Sequence, residues 1–137
     1  MEQTIPATEA RKNFAEILDE AIIKPVFINR RKNDYMTFST NQLSELLPIT
    51  PELDGEPEDY SLYIKEIPQI VGFGMTIDDT LEDLSQALSD YSSIYLSDLD
   101  KYYQAPNTKP HLLYVVLFAD MDLEKFKEKI NAKLERS

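Results

Sequence analysis

Six apolar residues, Ala10, Phe14, Ile17, Leu18, Ala21 and Ile22, recur at spacings of three and four and stop at Lys24-Pro25. The periodicity predicts an amphipathic helix over residues 7–23 with those side chains on one face. The residue before a proline resists helical geometry, which ends the helix there. Two β-prone runs follow, Val26-Phe27-Ile28 and Tyr35-Met36-Thr37-Phe38, and between them lies the basic turn Asn29-Arg30-Arg31-Lys32-Asn33-Asp34. The turn has no glycine, so Asn33 or Asp34 is expected to supply any positive φ. A short strand, Gln3-Thr4-Ile5, leads in. Ser39 with Gln42 three residues on fits a capping box for a short helix that ends at Leu47-Pro48. The first third therefore reads β-α-β-β-α.

The run Thr4-Ile5-Pro6-Ala7-Thr8-Glu9-Ala10-Arg11-Lys12-Asn13-Phe14-Ala15-Glu16-Ile17-Leu18, followed by Val26-Phe27-Ile28-Asn29-Arg30-Arg31-Lys32-Asn33, resembles the N-terminal domain of the Phd/YefM antitoxins. The resemblance covers residues 1–48. It implies a dimerisation and DNA-binding domain from the antitoxin half of a bacterial type II toxin–antitoxin pair. It places DNA contacts at Arg11, Lys12, Asn13, Arg30, Arg31 and Lys32, and a homodimer interface at Val26, Ile28, Met36, Phe38 and Leu43. Two departures stand out. Pro6 occupies the position where relatives carry a capping Ser or Thr, and the hairpin lacks their glycine. Two copies on a palindromic operator are the expected arrangement.

Residues 48–59 hold three prolines, one glycine and five acids. That composition predicts a linker over 49–59, dividing domain 1–48 from an acidic domain 60–137. The second domain opens with strands at Tyr60–Ile64 and Gln69–Met75, where Gly72 and Gly74 suggest a bulge or a close backbone approach. Thr76 to Asp79 supply capping residues. Leu81, Leu84, Leu88, Tyr91, Tyr95, Leu99 and Tyr102 then mark a long amphipathic helix, with a break near Ser92-Ser93 or Ser97-Asp98. The unbroken apolar run Leu112–Ala119 reads as a central buried strand, and Leu123, Phe126, Ile130 and Leu134 as a last helix. The second domain is thus expected to be β-β-α-β-α, and the whole chain α+β. Tyr63 to Tyr95 is similar to HicB-type antitoxin domains. In the Phd/YefM family the toxin-binding segment is a short tail, whereas 60–137 reads as a folded domain.

Charge separates the two parts. The net charge is −11, and residues 49–137 carry eight Lys/Arg against eighteen Asp/Glu, while residues 1–48 carry six against seven. An acidic chain repels nucleic acid except at a local basic patch. The acidic part favours encounter with a basic partner. The acidic clusters Glu56-Glu58-Asp59, Asp78-Asp79-Glu82-Asp83 and Asp98-Asp100 match no calcium-loop pattern; capping and solubility account for them. His111 is the one histidine and there is no cysteine, so no zinc site or nucleophile–base pair is recognisable. Neither a catalytic constellation nor a cofactor motif emerges. Tyr102-Tyr103, at a helix end, is a candidate anchor for a partner protein.

No apolar run approaches the ~20 residues that span a bilayer, so a cytoplasmic protein is expected. The resemblance implies an antitoxin that binds operator DNA, autoregulates its operon and neutralises a partner toxin by direct contact. The alternative is a regulator or ligand-sensing interaction module that has the DNA-binding domain but no toxin.

Overall fold

The computed structural model describes residues 4–135 and divides between Leu46 and Leu47 into two compact units. Each is α+β.

In the first unit β1 (Thr4–Pro6) runs into α1 (Ala7–Lys12), α2 (Phe14–Ala21), β2 (Val26–Arg30), β3 (Asn33–Thr37) and α3 (Thr40–Leu46). The expected strand began at Gln3, which lies outside the described residues. The single helix expected over 7–23 is two helices. They break at Asn13, whose φ of −117° and ψ of 33° depart from helical values. Pro6 caps α1 with no side-chain hydrogen bond. β1 pairs parallel with β2, and β2 pairs antiparallel with β3. Ala10, Ile17, Ala21 and Val26 form the small core, with Ile5 and Ile28 packed on it. Only part of the periodic stripe is therefore buried: Phe14, Leu18 and Ile22, spaced four apart, remain exposed.

Two local expectations fail here. Arg31 and Lys32, not Asn33 or Asp34, take the positive φ, at 51° and 69°. Arg30 pairs with Asn33, so these two residues are the whole loop. A two-residue hairpin with both central φ positive is a type I′ turn, whose twist matches that of the strands it joins. The Ser39–Gln42 capping box does not form either. Gln42 donates its side-chain amide to the carbonyl of Ile22 (3.2 Å), because it is buried against the preceding helix end instead of facing its own.

The second unit is an antiparallel meander, β4 (Pro51–Glu56), β5 (Asp59–Ile64) and β6 (Ile67–Gly74). It is followed by α4 (Ile77–Ser97), α5 (Leu99–Gln104), a 3-10 turn at Lys109–His111, α6 (Leu112–Asp120) and α7 (Leu123–Glu135). The expected linker is thus mostly β4 and its turn. Its prolines and glycine are hairpin residues: Pro51 begins an edge strand, where a missing N–H costs nothing. Pro57 and Glu58, with Glu58 at φ 79°, form the two-residue turn between Glu56 and Asp59. Gly55 at φ 96° lies where a Cβ would strike the Asp59 carbonyl.

Leu112–Ala119, expected as a strand, is helical. Val115 and Phe118 are buried with His111 at helical spacing, and Pro110 stands in the first turn leading in, where a proline suits a helix start. The second unit is therefore β-β-β followed by helices, not β-β-α-β-α.

α4 is the centre of the second core. Thr76 caps it, its Oγ1 accepting from the Asp79 N–H at 3.1 Å, and the helix breaks at Asp98. Leu81, Leu84, Leu88 and Tyr95 are buried with Leu62, Ile64, Ile67, Val115, Phe118, Phe126 and Ile130. Gly72 and Gly74 let β6 lie against it: a Cβ on Gly72 would stand 2.5 Å from the Leu84 nitrogen, and one on Gly74 2.6 Å from that of Thr80. Thr80, Ser85 and Ser92 are also buried, each hydroxyl donating to the carbonyl four residues back at 2.6 to 2.7 Å. These bonds satisfy hydroxyls that burial would otherwise penalise.

Candidate nucleic-acid interface

The parallel pairing of β1 with β2 puts Pro6 opposite Asn29. The start of α1 therefore lies beside the end of β2, and Arg11, one turn on, reaches the same side as Arg30. Ala7, Thr8, Arg11 and Arg30 line an open concavity of about 350 Å3. The I′ turn carries Arg31 and Lys32 just beyond, both exposed. Among the described residues none of these four cations forms an ion pair. The acid nearest the turn in sequence, Asp34, is held across the hairpin neck by the Asn29 amide (2.9 Å). Guanidinium groups in a concave, unpaired arrangement suit phosphate oxygens or the acceptor edge of guanine. Lys12 and Asn13 are exposed but do not line this concavity.

The residues expected at a dimer interface fall apart into groups. Val26 and Leu43 are already buried in the single chain. Their apolar area is largely taken up by the chain's own packing. Ile28 packs on the same core, and Phe38 is half-buried. Met36, paired with Phe27, lies on the other sheet face and is exposed. The large apolar side chains left open in this unit are Phe14, Leu18, Ile22, Ile23, Tyr35, Met36 and Leu46. The stripe Phe14-Leu18-Ile22 was visible in the sequence, but its periodicity cannot say which apolar face meets the chain's own core.

In the second unit Tyr102 stacks on Tyr95 with ring centres 5.2 Å apart, and its carbonyl accepts from Thr108. It is half-buried, its ring partly taken up by this internal packing. Tyr103 is exposed, with Lys109 Nζ 5.0 Å above its ring. His111 is buried, its Nδ1 2.7 Å from the Tyr91 hydroxyl, and burial lowers its pKa. The same burial raises that of Tyr91. Among the described residues no three His, Asp or Glu side chains gather as a metal-ligand group. No helix of the described residues is long and apolar enough to cross a membrane.

A family model described as PHD_like, antitoxin of toxin–antitoxin, RelE / RelB, TA system, matches residues 1–132. The chain is also similar to a crystal structure described as the antitoxin part of a proposed toxin/antitoxin system from Syntrophomonas wolfei subsp. wolfei. That similarity has 27% identity and a TM-score of 0.71, and covers 92% of this chain and 94% of the other. No curated protein matches.

Proposed function

From the premise that the chain belongs to the PHD-like antitoxin family of toxin–antitoxin systems, we propose that it binds operator DNA through its first unit and neutralises a toxin through its second. The first unit is read as a Phd/YefM-like domain, acting as a homodimer in the cytoplasm and repressing its own operon. The observation that supports DNA contact most is the convergence of Arg11 and Arg30 on one open concavity, beside Arg31 and Lys32, in a chain of net charge −11. An acidic protein holds DNA only if its few cations are gathered and unpaired. Lys12 and Asn13 flank the site. The exposed apolar residues of α2 and β3 support a dimer, since a unit this small has little reason to leave them in water. The acidic second unit suits a basic toxin, whose approach it would accelerate.

The test is fluorescence anisotropy with the fragment upstream of the chain's own gene and a scrambled control. Wild type should prefer its own fragment, with an affinity that falls as salt rises. Arg11→Ala/Arg30→Ala should lose that preference while keeping its circular dichroism. Equal binding to both fragments, or an unaffected variant, would refute the interface. That the second unit is a folded domain instead of a tail favours one other reading, a toxin-less regulator. A neighbouring gene whose product is harmless when expressed alone would select it.

A further inference from the structure

The meander of the second unit has one covered face and one open face. Gly72 and Gly74 turn the covered face to α4. Strand alternation puts Phe73 on the opposite face, and the pairing register places Ser61 and Asp54 in the same row. The neighbouring rows are Glu52 with Tyr63 and Glu56 with Asp59. The open face is therefore two-toned. β4 contributes a column of three carboxylates, and the far strand contributes Phe73, followed by Met75. These two are 63% and 61% exposed. With strands ~4.8 Å apart, acid column and aromatic stand about 10 Å from one another.

Two further details bear on what this face can hold. Glu52 is paired with Lys65 at 2.8 Å, but Asp54, Glu56 and Asp59 have no ion pair among the described residues. The Phe73 N–H is taken by Asp83 Oδ2 at 2.8 Å. That bond fixes the backbone under the exposed ring and blunts the strand edge against simple strand addition. Phe73 is thus an ordered anchor on a sheet surface.

Resting on the antitoxin reading, we propose that this open face of β4-β5-β6 is where the toxin docks, and that the toxin offers a basic surface with an apolar socket for Phe73. Charge decides the occupant. Two copies of this chain meeting here would bring their carboxylate columns together, which like-charge repulsion opposes. DNA is repelled for the same reason. A basic protein pairs Asp54, Glu56 and Asp59 and buries Phe73 and Met75, an aromatic centre with a charged rim.

The probe is the purified, refolded product of the gene adjoining this one, titrated against the full-length chain by biolayer interferometry. Phe73→Ser is expected to weaken binding by roughly 30-fold or more, mainly through faster dissociation. Asp54→Lys/Glu56→Lys is expected to slow association by about 10-fold at low salt and to flatten its salt dependence. Ile94→Ser, an exposed apolar change on α4, should stay within about twofold of wild type. Thermal melting confirms that each variant folds. If wild type binds and both sheet variants bind equally well, docking on this face is overturned while the antitoxin reading stands. If wild type fails to bind the neighbouring product at all, the antitoxin reading fails and the docking face falls with it.

Discussion

Replacing Arg31-Lys32 by Asn-Gly should make the first unit more stable and a worse DNA binder at once. Both residues sit at positive φ, 51° and 69°. An L-residue with a Cβ loses roughly 1–2 kcal/mol there, and Asn-Gly is the pair that a type I′ turn prefers. Relief at two positions is offset by the extra freedom that glycine gives the unfolded chain, about 0.5–1 kcal/mol. The net gain expected is on the order of 1–2 kcal/mol, which should raise the melting temperature by several degrees. The same change removes two cations per chain, and so four in the proposed homodimer. Each lost phosphate contact lowers the slope of log K against log salt by about 0.9, so the slope should fall by about 3.6 if all four are contacts. Thermal melting followed by circular dichroism reads the first effect, and anisotropy titrations with the upstream fragment at several salt concentrations read the second. A destabilised variant would refute the turn geometry. A more stable variant with an unchanged salt slope would show that the turn does not touch phosphate. Lys32→Gly alone should show about half of each effect.

Three other changes test the second unit. Gly72→Ala should destabilise it by about 1–3 kcal/mol in urea unfolding, because the new methyl meets the backbone of Leu84, which cannot rotate away. Glu58→Gly should stabilise the β4–β5 hairpin by up to about 1 kcal/mol in the same assay, since Glu58 holds φ 79° after Pro57. His111, whose folded pKa is lowered by burial, binds fewer protons folded than unfolded. Stability should therefore fall as pH drops below the unfolded value of about 6.5, by at most about 1.4 kcal/mol per pH unit for one proton. Melting curves at a series of pH values should show this loss reduced in His111→Gln.

The periodic elements β2, β3, α3 and α4 were legible in the sequence, but their punctuation was only partly so: the turn shrinks to Arg31-Lys32, the capping box before α3 does not form, and of the two breaks expected in the long helix, near Ser92-Ser93 or Ser97-Asp98, only the second occurs. Two errors have a common cause. Pro51, Gly55 and Pro57 signal chain reversal equally well in a linker and in a hairpin, and only the pairing of β4 with Asp59–Ile64 decides between them. Leu112–Ala119 is apolar on every side, so it has no period to separate helix from strand. The proline at 110 was the available clue, and the burial of His111, Val115 and Phe118 at helical spacing emerges only from the structure. Burial of the first helical stripe was overestimated because α2 is apolar around more of its circumference than one small sheet can cover. At the candidate DNA site, the residue types and their proximity in the turn were visible. The meeting of Arg11 with Arg30 was not, since it depends on the parallel register of β1 and β2. The open sheet face at Phe73 was likewise hidden, because a lone aromatic beside two glycines reads as core until the glycines are seen to face the helix.

Controlled expression of the neighbouring gene, alone and together with this chain, tests antitoxin function most directly. Growth arrest by the neighbour alone, relieved when this chain is co-expressed and not when it carries Phe73→Ser with Asp54→Lys/Glu56→Lys, is the expected result. Growth unaffected by the neighbour, or arrest that this chain leaves unchanged, would contradict it.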